Sequence, residues 1–185
     1  MIQLLRYGVL LLKQPWKIRK DPLAVSRAQF RVMPWDCDLN LHLTNTRYPS
    51  FMDLARVQYL FEIGMVPLAF KDGWRPIVSS QTMTFIKEIK PLAAVSVESR
   101  VLHWDRKYFY HEHRFLVDGE VHARALGRMT LIRNGRIKSF DSLLMAIDAY
   151  YKRPPIEYQT PEASREVIAI MELLNAKRAV EESIN

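Results

Sequence analysis

The chain has 185 residues, enough for one domain with a sizeable core. Its apolar and aromatic content is that of a globular protein, and its one cysteine, Cys37, excludes an intrachain disulfide. The formal charge of +7 is not laid out as a nucleic-acid face: residues 1–20 hold five bases and no acid, and the rest shows no basic stripe with interleaved aromatics.

The N-terminal arm reads MIQLLRYGVLLLKQPWKIRK, with Leu5, Val9 and Leu12 on one helical face. Its apolar run, Tyr7 to Leu12, falls far short of the ~20 residues a membrane span needs. Arg6 splits the apolar part and no small-residue cleavage site follows, which argues against a signal peptide. Two readings stand: a helix packed on the domain or on a partner subunit, or a weak membrane-surface anchor with Trp16 and the lysines at the headgroups.

Residues 26–33, SRAQFRVM, alternate as a half-buried strand does, with Ala28, Phe30 and Val32 on one face. Residues 48–64, YPSFMDLARVQYLFEIG, place Pro49 at a helix start and Gly64 at its stop. Only Asp53, Arg56, Gln58 and Glu62 interrupt its apolar surface, so this helix is expected to be buried almost all round. Beyond it the period changes: residues 77–87, 94–104, 107–117 and 120–133 read as strands. Asp118-Gly119 and Asn134-Gly135 signal hairpins, and Pro91 and Asp105-Arg106 mark the other breaks. Short turns imply antiparallel neighbours. A linker, KRPPIEYQTP, precedes a last helix with start signals at Thr160, Pro161 and Glu162 and a stripe of Val167, Ile168, Met171 and Leu174. The expected fold class is α+β, one buried helix wrapped by an antiparallel sheet, with extra helical segments at both ends. The expected divisions are an arm over 1–25, a domain over 26–140 and a C-terminal helical extension over 141–185.

The end of the first strand carries PWDCDLNLHLTN, residues 34–45. Turn chemistry accounts for one aspartate there; a second, followed by His42 and Asn45, asks for more. A strand ending in Asp-x-Asp, a buried helix and a long meander resemble the hot-dog fold. The local sequence resembles the hydroxybenzoyl-CoA thioesterase family of small acyl-CoA thioesterases. Asp36, Cys37, Asp38, His42, Asn45 and Tyr48 carry the likeness, continuing to Asp53, Ala55 and Arg56; WRPIVSSQTMTFIKEIKP resembles the family's first strand after the helix. Thr44 stands where many members have the first of two asparagines. The resemblance implies hydrolysis of an acyl-CoA to a carboxylic acid and free CoA, with Asp38 as nucleophile or general base and no cofactor. It also implies an oxyanion donor among the backbone N–H groups that open the helix, and a homodimer in which the motif loop lies against a neighbouring subunit.

The chemistry suits the residues. A thiolate leaves readily without a strong general acid, so one carboxylate is enough to attack the carbonyl carbon or to draw a proton from water. The resemblance further implies Asp36, His42, Asn45 and Tyr48 as substrate-positioning residues, and each candidate also has a plain alternative. Asp36 is expected mainly to shape the turn, His42 to orient water or hold the loop, Asn45 to donate to the thioester or cap the helix, and Tyr48 to pack. Asp53 and Arg56, spaced i, i+3, read as a surface ion pair. Two flanking carboxylates disfavour the Cys37 thiolate as a nucleophile. His111 and His113 share a strand face without a third ligand at metal spacing, so no metal is expected. Lys87, Lys90, Arg106, Lys107 and Arg128 are candidates for CoA phosphates. Two alternatives to hydrolysis stay open. One is a non-catalytic acyl-CoA or acyl-carrier binder. The other is a hot-dog hydratase or dehydratase, which resembles Asp-x-Asn-Pro-x-His; here DLNLH lacks the proline and sets His42 four residues after Asp38. The expected setting is the cytoplasm, peripheral to a membrane at most, in lipid metabolism.

Overall fold

A computed structural model of the chain describes residues 6, 8 and 20–184. The apolar face expected of Leu5, Val9 and Leu12, and Trp16 with it, lies outside the described residues.

Strand β1 (Ser26–Arg31) leads through a 3-10 turn, Pro34–Asp36, into the motif loop. A second 3-10 turn, Asn45–Arg47, runs directly into helix α1 (Tyr48–Glu62), and a short helix α2 (Val66–Asp72) follows. Strands β2 (Trp74–Phe85), β3 (Ala94–Trp104), β4 (Tyr108–Val117) and β5 (Glu120–Arg133) then form the meander, closed by β6 (Arg136–Lys138). Helices α3 (Phe140–Tyr150) and α4 (Arg165–Ile184) end the chain. Sheet order is β1-β3-β4-β5-β2, with β6 on β5 and each of these pairings antiparallel. This is the expected arrangement of one helix wrapped by a curled antiparallel sheet.

The turns follow from their residues. Asp118-Gly119 and Asn134-Gly135 hold positive φ at both positions, as two-residue hairpins require. Asp105 turns the third connection by accepting the N–H groups of Lys107 and Tyr108, each at 2.7 Å.

Helix α1 buries Tyr48, Phe51, Met52, Leu54, Ala55 and Tyr59. Around its first half lie Val97, Phe115 and Ala125; around its second half lie Trp74, Trp104, Phe109 and Met129. Phe140, Leu143, Leu144 and Ile147 of α3 join this second cluster, so the core runs past the boundary expected at residue 140. Ser139 caps α3 by accepting the Ser142 N–H at 3.2 Å. At the other boundary, packed structure begins before residue 26: Leu23 lies against the core, and the Tyr59 hydroxyl donates to the Pro22 carbonyl at 2.7 Å.

The last helix starts later than its sequence signals indicate. Residues 152–164 take no regular structure, and Ser164 rather than Thr160 accepts the Val167 N–H, at 3.3 Å. Helix α4 lies on the outer face of the sheet, where Val167 packs with Tyr110 and Leu126. That cover buries both faces of β4. Glu112 on the outer face is 2 % exposed and held by Arg100 and Arg124; Arg124 also bonds Glu166 of α4 at 2.8 Å.

Candidate active site

The motif loop leaves β1, crosses to α1, and is tied at its neck by the Cys37–Leu43 bridge and by Leu43 N–H on the Ile89 carbonyl at 2.7 Å. Within it the chain turns tightly. Asp38 N–H donates to the His42 carbonyl at 3.1 Å, Leu41 N–H to the Asp38 carbonyl at 3.1 Å, and Leu41 takes a φ of 58°.

The two aspartates end in opposite environments. Asp38 keeps about a third of its side chain open. One carboxylate oxygen accepts the Asn40 N–H at 2.9 Å, an Asx turn, and the other stands 3.5 Å from His42 Nδ1. Asp38 makes an Asx turn, as it was free to do beside Asp36, and still presents an oxygen to solvent and to His42. Asp36 has no exposed surface. Its carboxylate accepts the Met33 N–H at 3.0 Å, is gripped by the Arg6 guanidinium, and has Arg47 Nε at 3.8 Å. A carboxylate enclosed this way is a structural anchor with no face for substrate in the single chain.

Tyr48 also points inward. It is 2 % exposed, with ring centroids 5.0 Å from Phe85 and 5.0 Å from Phe115, and burial pushes its hydroxyl up to about 12. Packing accounts for it, and it is not placed to touch a substrate. Asn45 is exposed at the start of the 3-10 turn. It caps nothing: Arg47 precedes α1 in helical conformation with no side-chain cap bond. The first N–H groups of an α-helix have no intrahelical acceptor, so the loop leads through this turn to the positive end of α1. The loop thus brings Asp38 and His42 together and leads straight into a donor-rich helix start, with Asp36 and Tyr48 holding it from below. The Cys37 thiol is raised by burial and by the Asp36 and Asp38 charges, the direction expected for an inert cysteine.

Three basic residues that the sequence did not single out in these roles matter here. Arg6 and Arg47 converge on Asp36. Arg56 pairs with Asp53 as its spacing indicates, yet its side chain is only 11 % exposed. It lines a small apolar cavity between α1, the sheet and α3, together with Tyr59, Phe109, His111, Phe140 and Leu143. No sequence signal marks Arg6, whose partner is thirty residues away.

His111 and His113 are buried under α1. His113 shares a 2.8 Å hydrogen bond with Ser99, and the His111 ring packs 4.9 Å from Tyr59. Burial, reinforced by the Arg56 charge, lowers His111 to about 3; burial, His111 and Arg56 lower His113 well below its ordinary value. Both are neutral at physiological pH. Among the described residues no group of three or more His, Cys, Asp or Glu is gathered as metal ligands would be.

The model of the thioesterase-like superfamily matches residues 32–167. The chain belongs to that superfamily. Protein THEM6 of Xenopus laevis is 29 % identical over 114 residues, covering 60 % of this chain and 55 % of that protein. A probable thioesterase of Saccharomyces cerevisiae is 32 % identical over 85 residues, covering 45 % of this chain and 37 % of the other. The chain thus spans about half the length, or less, of these curated relatives. Among solved structures, a thioesterase from Thermus thermophilus complexed with coenzyme A and Zn superposes with a TM-score of 0.58 at 25 % identity, over 73 % of this chain and 99 % of that one. The hot-dog fold expected of this thioesterase-like chain is the fold it has.

Proposed function

We propose that this protein hydrolyses an acyl-CoA thioester, with Asp38 supplying the carboxylate. The observation that carries this reading is the part-open Asp38 carboxylate beside His42, on a loop that feeds into the positive end of α1. In the proposed reaction Asp38 either attacks the carbonyl carbon or takes a proton from an attacking water. Helix-start N–H groups stabilise the oxyanion and the C–S bond breaks; on the general-base route Asp38 passes the water's proton to the leaving thiolate, and on the nucleophilic route water then cleaves the acyl–Asp38 anhydride, releasing the carboxylic acid, freeing Asp38 and supplying the thiolate's proton. His42 holds the carboxylate or the water. The superfamily, and coenzyme A in the T. thermophilus thioesterase, support a CoA thioester as substrate.

We also propose that the working form is a homodimer. Strand β2 lies at one edge of the sheet, and Trp35, Leu39 and Leu41 expose apolar surface on the motif loop itself, with Leu39 fully exposed. A second copy would cover both an edge and a greasy loop. Among the described residues no helix is long and apolar enough to cross a membrane. We place the protein in the cytoplasm and in lipid metabolism, a setting compatible with its free Cys37.

The test is thiol release by the purified full chain over a panel of aliphatic and aromatic acyl-CoAs and an acyl-carrier protein. Release that scales with enzyme supports the reading. Tight acyl-CoA binding without thiol release would replace it with a non-catalytic binder.

A further inference from the structure

We propose that Arg6 is a positioning residue for the Asp38 loop, so that the N-terminal arm is a working part of the site. The inference rests on the reading of Asp38 as the catalytic carboxylate.

Asp36 is a carboxylate with no exposed surface. Removing such a charge from water costs several kcal/mol unless partners replace the lost hydration. Met33 N–H supplies one hydrogen bond at 3.0 Å, and Arg47 Nε stands at 3.8 Å, outside hydrogen-bond distance. Arg6 supplies the rest: Nη1 donates to one oxygen at 3.1 Å and Nη2 to the other, the two-pronged geometry in which a guanidinium matches a carboxylate. The same guanidinium lies over the Phe51 ring, 4.7 Å from its centroid, in the first turn of α1. Arg6 therefore clamps the motif loop to the helix start.

Asp36 is where such a clamp acts on the whole loop. Its N–H donates to the Met33 carbonyl at 2.8 Å and its carbonyl accepts the Thr44 N–H at 3.0 Å, so it fixes both ends of the segment that carries Asp38 and His42. Asp38 is two residues further on, and Thr44 directly precedes the N–H groups that open the helix. A shift of Asp36 moves the carboxylate and the oxyanion donors relative to each other, and a displacement of about 1 Å can cost roughly a hundredfold in rate. The arm is tied down a second time where it enters the domain. Lys20 N–H donates to the Glu62 carbonyl at 2.9 Å, and Lys20 Nζ pairs with the Glu62 carboxylate at 2.9 Å, at the far end of α1. Arg6 and Lys20 thus hold opposite ends of α1.

The experiment uses the full chain and the acyl-CoA it turns over fastest, and compares Arg6→Ala, Arg6→Lys and Asp38→Asn by steady-state kinetics and thermal melting. Arg6→Ala is expected to lower kcat about tenfold or more with KM little changed, as loss of alignment rather than of substrate binding requires. Arg6→Lys keeps the charge but loses the two-oxygen grip, and should fall between wild type and Arg6→Ala. Guanidinium ion at millimolar, non-denaturing concentration should restore part of the Arg6→Ala rate. A folded Arg6→Ala with wild-type kcat, whatever its melting temperature, overturns the proposal. If Arg6→Ala does not fold, Arg6→Lys carries the test, and wild-type kcat there overturns it. Full activity of Asp38→Asn, or no turnover by wild type, sinks the proposed function instead, independently of how the Arg6 variants behave.

Discussion

His42 Nδ1 stands 3.5 Å from the Asp38 carboxylate, and each side chain keeps close to a third of its surface open. That leaves the pair room to tighten around a water or a thioester, a change that apo geometries commonly await. Asp38→Asn is expected to keep the fold, because the Asn amide oxygen still accepts the Asn40 N–H. It should lower turnover roughly 10²–10⁴-fold, the usual weight of a general base, with acyl-CoA affinity little changed. Thiol release, ligand binding and melting on one preparation check this. A folded variant at the wild-type rate would remove Asp38 from the mechanism.

Asp36→Asn, unlike Asp38→Asn, should cost stability, and by loosening the Arg6 clamp it should lower kcat in the same direction as Arg6→Ala. Breaking a buried ion pair by removing one partner costs ~3–5 kcal/mol when the survivor stays buried. Arg6 at 15 % and Arg47 at 35 % exposed keep some access to water, so the loss should sit at or below the low end of that range. Urea unfolding measures it. A change in stability as small as that of a surface substitution would show that the carboxylate is not the anchor described.

The buried histidines predict an acid limb in stability. His111 is held near 3 in the folded protein and returns to about 6.5 when unfolded, and His113 is lowered in the same direction. Below pH ~6.5 the unfolded chain takes up protons that the native state refuses, so stability falls as pH drops through that window toward 3. From pH 7 to pH 5 His111 contributes a loss of about 2 kcal/mol, and His113 adds a loss in the same direction. His111→Phe keeps a ring against Tyr59 and should flatten the limb by about that amount, read from urea unfolding at the two pH values. An unchanged pH dependence would show that His111 is not the group titrating.

Val167 is fully buried between α4 and the outer face of the sheet. Val167→Asp should release α4, losing the ~1.5–3 kcal/mol of a buried aliphatic side chain and exposing the linker at residues 152–164 to protease. Limited proteolysis and melting check this. A linker as resistant as wild type would mean that the helix is held by other contacts.

Sedimentation at micromolar concentration should give a dimer. Val78 is 40 % exposed on the edge strand β2. Val78→Lys, which places a charge on that edge, should shift the equilibrium toward monomer. A monomer that hydrolyses acyl-CoA at full rate would exclude a shared site.

The sequence by itself determined the first strand, the buried helix and the four-strand meander in their order, because those depend on local periodicity and turn chemistry; the short α2 and β6 and the start of the last helix were not legible there. The alternation Ala28, Phe30, Val32, the near-continuous apolar surface of residues 48–62, and the Asp118-Gly119 and Asn134-Gly135 turns each carry their structure within a few residues. The motif loop was legible for the same reason: Asp38 and His42 are four residues apart and meet within one turn. Tertiary structure alone decided which aspartate is open and which is closed. Asp36 and Asp38 look alike in the chain, and what separates them is Arg6, brought from thirty residues away to a carboxylate with no other cation in hydrogen-bond reach among the described residues. It also decided that Glu112 is buried and Arg56 largely covered, since cover by α4 and close packing against the sheet come from elements far off in sequence. Burial and long-range charge pairing depend on distances that no local pattern encodes, and those distances set the chemistry of this loop.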